Sequence, residues 1–148
     1  MNESTEGIIA IPAEQIPAQI PFTNPHLAVL NSEADSLMTY LKNEDNMADP
    51  GSLVHRLNEI DTLMARLSEM LIQAKSMEKY AKARFDEINA KALEAMKATS
   101  ATRVRATCLF EFTLTSERLE SVYKTMDARR EDLRSKISYV REQMHYGI

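Results

Sequence analysis

The 22 residues Leu53–Ala74 read LVHRLNEIDTLMARLSEMLIQA, and their spacing decides the fold. Leu53, Leu57, Ile60, Met64, Leu67, Leu71 and Ala74 recur at alternating intervals of four and three residues. Such a seam keeps one face of an α-helix apolar, as in the a and d positions of a heptad repeat. Beyond Ala74 the stripe carries on through Met77, Ala81, Phe85, Ile88, Ala92 and either Ala95 or Met96. Charged residues such as Glu59, Arg66, Lys75, Lys82, Asp86 and Glu87 fall mainly off the seam and its continuation.

Outward from this stretch, the chain holds neither glycine nor proline from Ser52 to Tyr146. Those two residues end most helices, glycine through backbone entropy and proline through its missing N–H and its ring. The run is therefore read as two long helices whose reversal is made by other residues. Ala98-Thr99-Ser100-Ala101-Thr102 offers weak helix formers and caps, so the turn is expected near 98–103. Equal arms on either side would bury both seams as an antiparallel hairpin spanning 52–146. After Glu117 a second stripe runs through Leu119, Val122, Met126, Leu133, Ile137, Val140 and Met144.

One segment competes with this reading. Val104, Ala106, Cys108, Phe110, Phe112 and Leu114 alternate with Arg105, Thr107, Glu111, Thr113 and Thr115. Period two with aromatic and β-branched residues is a strand signature. A lone strand leaves its backbone groups unpaired, and no partner run stands elsewhere, so 103–114 is read as helix with strand as the rival.

Toward the N-terminus the pattern changes. Residues 1–23 carry Ile11-Pro12, Ile16-Pro17 and Ile20-Pro21, and each proline disfavours helix in the residue before it. With Phe22 these isoleucines are read as an extended arm, Ile11, Ile16, Ile20 and Phe22 being the side chains that dock a partner. A structureless leader is the plain alternative. A short amphipathic helix is expected over 24–47, opened by Asn24-Pro25, with Ser32-Glu33-Ala34-Asp35 as a second candidate start. Asp49-Pro50-Gly51 supplies a turn before the long seam, with Asp49 or Ser52 as cap.

Composition bounds the function. The chain has 148 residues, no Trp, nine Met and a net charge of −4. Residues 1–50 hold one lysine against eight acids, whereas the rest is nearly balanced, which gives little pull on DNA or anionic lipid. The first thirty residues carry no Lys or Arg, unlike a secretory signal, and no stretch is apolar enough to span a membrane. With Cys108 the sole cysteine, a reducing, cytoplasmic setting is expected.

Chemistry-bearing motifs are sparse. Glu142 and His145 have the Glu-x-x-His spacing of di-iron bundles, which require it twice. Cys108 lies in an apolar run, where an inert thiol is the rule. No glycine-rich phosphate loop exists. No metal, cofactor or catalytic role is assigned.

Arg130, Arg134 and Arg141 approach one stripe with tyrosines nearby, the pattern of a single-strand nucleic-acid contact. Glu117, Glu120, Asp127, Glu131, Asp132 and Glu142 are interleaved with them, which intrahelical pairing explains more simply. Arg129 and Arg130 interrupt the apolar stripe and are expected to pair with Asp61 or Glu69 on the facing helix, fixing register.

The expected fold is thus all-α: a coiled-coil-like hairpin, a short helix before it, and an extended arm. The expected packing and oligomer seam is Leu57, Ile60, Met64, Leu67, Leu71, Phe85, Ile88, Phe110, Phe112, Leu133 and Ile137. Two slender helices cannot cover all this apolar surface, which implies a homo-oligomer. A non-enzymatic scaffold with a protein partner fits best, in keeping with an accessory component of a bacterial or viral assembly. A nucleic-acid accessory factor and a small protein inhibitor of an enzyme are the alternatives.

Overall fold

A computed structural model describes residues 24–42 and 49–145. They form five α-helices: α1 (Pro25–Leu41), α2 (Pro50–Ile88), α3 (Ala90–Glu94), α4 (Ala98–Cys108) and α5 (Phe110–His145). No strand occurs among the described residues, and the alternating segment around Phe110 is helical throughout, apart from a one-residue break at Leu109. The strand rival fails because helical phase places Val104, Leu109 and Phe112 together in a core, while Phe110 and Leu114 stay outside.

Helix starts follow local chemistry. The Asn24 side chain accepts the His26 amide at 2.8 Å and its carbonyl accepts Leu27 N–H, so Asn24 caps α1 with Pro25 at the first helical position. Ser32 and Glu33 fall inside α1, whose first turn has already formed. At α2, Asp49 accepts both the Ser52 amide (2.9 Å) and the Ser52 hydroxyl (3.0 Å). Each cap of this kind is worth about 1 kcal/mol. The helix expected over 24–47 is described as far as Leu41, with Lys42 in a turn; residues 43–48 lie outside the described residues.

The chain divides into two compact units. The first contains residues 24–29 and 73–116. Its core gathers Leu27, Ala81, Phe85, Leu93, Ala101, Val104, Leu109 and Phe112, with Met77, Ile88, Ala92, Met96 and Cys108 packed against it. Here α2 and the returning chain run antiparallel: Asp86 meets Arg105 at 2.6 Å, and Glu78 accepts the Thr113 hydroxyl at 3.0 Å. Both pairs add to 191, which centres the reversal on Ala95–Met96.

The reversal therefore occupies Ala95–Lys97, and residues 98–103 form the first turns of α4 rather than the turn itself. Lys97 turns extended (φ −67°, ψ 151°), and neither it nor any side-chain cap explains the stop. Packing does: Leu93 and Met96 on one side and Ala101 and Val104 on the other enter the same core. A further interruption sits at Asn89, whose side chain donates to the Phe85 carbonyl at 3.0 Å, in competition with the helical ladder.

The second unit contains the described residues of 30–72 and 117–145. Three helical stretches supply its buried residues: Leu30, Ala34, Leu37 and Leu41 of α1, Leu53, Ile60, Met64, Leu67 and Met70 of α2, and Leu119, Val122, Met126, Leu133 and Ile137 of α5. Burying each of the larger side chains contributes about 1.5–3 kcal/mol before chain entropy is charged against it. Arg66–Glu33 (2.5 Å) and Tyr40–Glu59 (2.9 Å) set α1 antiparallel to α2.

Because α2 meets two helices, its buried face is wider than a coiled-coil seam. Leu57 and Leu71 are only half-buried, whereas Arg56 and Met70, one position earlier, are buried. The extra helix explains the shift, since α1 draws its own stripe of contacts from α2 beside that of α5.

Candidate functional site

The residues picked out for register fall into place on α5. Arg130 lies 3.8 Å from Asp61 on α2, but its closer partner is Asp127 at 2.5 Å on its own helix, with Glu131 at 3.9 Å. Arg129 does something different. Its guanidinium donates to the Leu41 carbonyl at 2.5 Å, satisfying an acceptor that the end of α1 leaves open. Glu69 is exposed and stands eight residues along α2 from Asp61. The apolar stripe steps from Met126 straight to Leu133 across these two arginines.

Of the residues weighed for nucleic-acid contact, Arg130 is engaged as above and Arg134 pairs with Glu131 at 2.7 Å. Arg141 is exposed near the end of α5. Lys136 joins Asp132 at 3.2 Å. Phosphates would have to displace acids already seated on these cations, so α5 presents a mixed-charge face rather than a basic track.

A buried arginine is the polar feature that periodicity missed. Arg56 stacks on the Tyr40 ring, 4.1 Å from its centroid, and reaches the Tyr40 carbonyl and Glu59. Glu59 also accepts the Tyr40 hydroxyl and lies 3.5 Å from His55. The seam pattern places position 56 beside, not on, the apolar stripe, so only an aromatic on a third helix could have revealed it. An open hollow of about 360 Å³ lined by Asp49, Ser52, His55, Arg56 and Glu59 lies against this cluster.

The apolar residues sort clearly. Ile60, Met64, Leu67, Phe85, Phe112, Leu133 and Ile137 are buried, and Leu57, Leu71 and Ile88 are partly so. Of the two phenylalanines in the expected packing and oligomer seam, Phe112 is in the core and Phe110 is 57% exposed, as the break at Leu109 and the helical phase after it dictate. Leu114, one turn on from Phe110, is exposed as well. In the second unit Ile72 (66%), Tyr139 (63%) and Met144 (63%) are exposed. The arm residues Ile11, Ile16, Ile20 and Phe22 lie outside the described residues.

Among the described residues no group of three or more His, Cys, Asp or Glu is placed to hold a metal ion. Burial raises the Cys108 thiol pKa, which disfavours the reactive thiolate. No described helix is long and apolar enough to cross a membrane.

In comparisons with known proteins, no family model, no curated protein and no solved structure matches the chain.

Proposed function

We propose that this chain is a non-enzymatic helical assembly protein that self-associates and docks a protein partner through its N-terminal arm, as an accessory component of a larger bacterial or viral assembly. The observation that carries the reading is the set of large apolar side chains left on helix surfaces, Ile72, Tyr139 and Met144 in the second unit and Tyr80, Phe110 and Leu114 in the first. Single exposed apolar residues are ordinary, but several bulky ones on slender helices favour a covering surface. Apolar, mixed-charge helix faces of this kind suit protein contact better than they suit a substrate.

Light scattering at micromolar concentration tests self-association. A mass at a multiple of 16.8 kDa supports it, and a monomer mass refutes it. Pull-down with the full chain and with a chain lacking residues 1–23 tests the arm, whose loss should abolish partner capture.

A further inference from the structure

Two one-residue interruptions divide the helices of the first unit, at Asn89 between α2 and α3 and at Leu109 between α4 and α5. Both leave helical geometry in the same way, with φ −104° and ψ 19° at Asn89 and φ −107° and ψ 16° at Leu109. Neither glycine nor proline stands near them, so the usual helix stoppers do not cause the breaks. Between them lies a self-contained piece, residues 90–108, made of α3, the reversal at Ala95–Lys97 and α4. Hinges are built from a few residues at the ends of elements that absorb changes in φ and ψ, and these two breaks occupy such positions.

We propose that residues 90–108 form a lid that opens about Asn89 and Leu109, with the Asp86–Arg105 ion pair as its latch. Four observations carry it. The lid is thinly anchored: of its nineteen residues only Leu93, Ser100, Ala101 and Val104 are buried, and three of those four side chains are small. At the first hinge, Asn89 Oδ1 is buried without a hydrogen-bond partner among the described residues, and opening lets water reach it. Along one flank the lid and the body are not close-packed. A groove of about 270 Å³ runs there, with Thr102, Arg105 and Ala106 from the lid, Lys82 and Thr113 from the body, and Leu109 at the pivot. Lastly, Asp86 of α2 holds Arg105 of α4 at 2.6 Å with both side chains partly exposed, so water competes for the contact. Opening bares Phe85, fully buried under the closed lid, together with the inner faces of Ala101 and Val104. The chain thus carries an apolar surface that is hidden or displayed by the position of one small element. Lid opening needs neither the arm nor self-association.

Hydrogen exchange of the full chain, resolved by residue with NMR, tests the lid. An eleven-residue helix released from its packing is marginal in water, so the α4 amides exchange when the lid opens. Amides 102–108 should share one protection factor, at least tenfold below that of amides 77–85 in α2. Arg105→Ala should lower the shared value about twofold, as expected for loss of a partly exposed ion pair. Asn89→Leu should raise it about fivefold, because the closed lid then hides no unpartnered oxygen. Protection that falls smoothly from Cys108 towards Thr102 means fraying from the reversal and overturns the proposal. Equal protection of 102–108 and 77–85 means that the segment opens only with global unfolding, which overturns it too. A shared low protection that either substitution leaves unmoved places the pivot or the latch elsewhere and likewise overturns it. Exchange in the unsubstituted chain decides the first two outcomes even where a variant fails to fold.

Discussion

At the scale of single residues, two buried polar side chains carry opposite expectations. Arg56 is satisfied on every side, by the Tyr40 ring, the Tyr40 carbonyl and Glu59. Arg56→Ala leaves a void under the ring and strands its partners, so urea melting should show a loss of about 2 kcal/mol. Arg56→Lys, without the planar stack, should recover less than half of that. Asn89 is the reverse case. It is almost wholly buried, and its Oδ1 has no hydrogen-bond partner among the described residues. The amide already donates to a carbonyl that the Asn89 backbone N–H also uses. Asn89→Leu should therefore stabilise by about 1 kcal/mol and raise Tm by several degrees, read by calorimetry. Cys108 gives a third test. Its thiol pKa is raised by desolvation, so the protonated form is favoured in the folded state. That contribution to stability is present below the thiol's unfolded pKa and is lost as pH rises through the folded value. Alkylation by iodoacetamide near pH 8 should accordingly run slower in the native protein than in urea.

Elements add what residues cannot, namely register. In the first unit Asp86–Arg105 and Glu78–Thr113 share one sum of residue numbers, and in the second Asp61–Arg130 has the same sum. A double-mutant cycle at Asp86 and Arg105 should return a coupling of about 0.5 kcal/mol, as expected for a half-exposed pair in good geometry. The cycle at Asp61 and Arg130 should return less, because Asp127 holds the guanidinium more closely. Glu69 with Arg129 should show none. A coupling at Glu69 equal to that at Asp86 would mean the helices are slipped relative to this register. The seam in Leu53–Ala74 made α2 legible, and proline and asparagine chemistry marked where α1 and α2 begin. The reversal was misplaced by a few residues because no local signal stops α3. Core packing of Leu93, Met96, Ala101 and Val104 does that, and contacts between distant residues leave no mark in spacing. The two phenylalanines of the expected packing and oligomer seam part for a related reason, since one broken turn at Leu109 leaves Phe112 buried and Phe110 exposed. Arg129 was legible as an anomaly in the stripe, but its role at the end of α1 needed a third helix that pairwise reasoning did not supply.

For the molecule as a whole, the decisive question is whether its exposed apolar residues serve the folded monomer or another surface. Those serving the monomer would cost stability when changed, whereas those serving an interface would cost association alone. Ile72 separates the two possibilities. It lies on the outer face of α2 and is 66% exposed, so its contribution to the folded chain is within about 0.5 kcal/mol of zero. Ile72→Asp adds a charge that remains hydrated in the monomer but would be desolvated without a partner at an interface. The expected outcome is an unchanged Tm at low concentration together with a lower mass by light scattering at micromolar concentration. Leu67→Ala is the control on the opposite, fully buried face. It should cost about 2–5 kcal/mol and lower Tm whatever the association state. If Ile72→Asp lowers Tm as Leu67→Ala does, Ile72 belongs to the monomer fold and this face is not an interface. If it changes neither mass nor Tm, association uses another surface, and Tyr139 and Met144 at the far end of α5 become the next positions to charge.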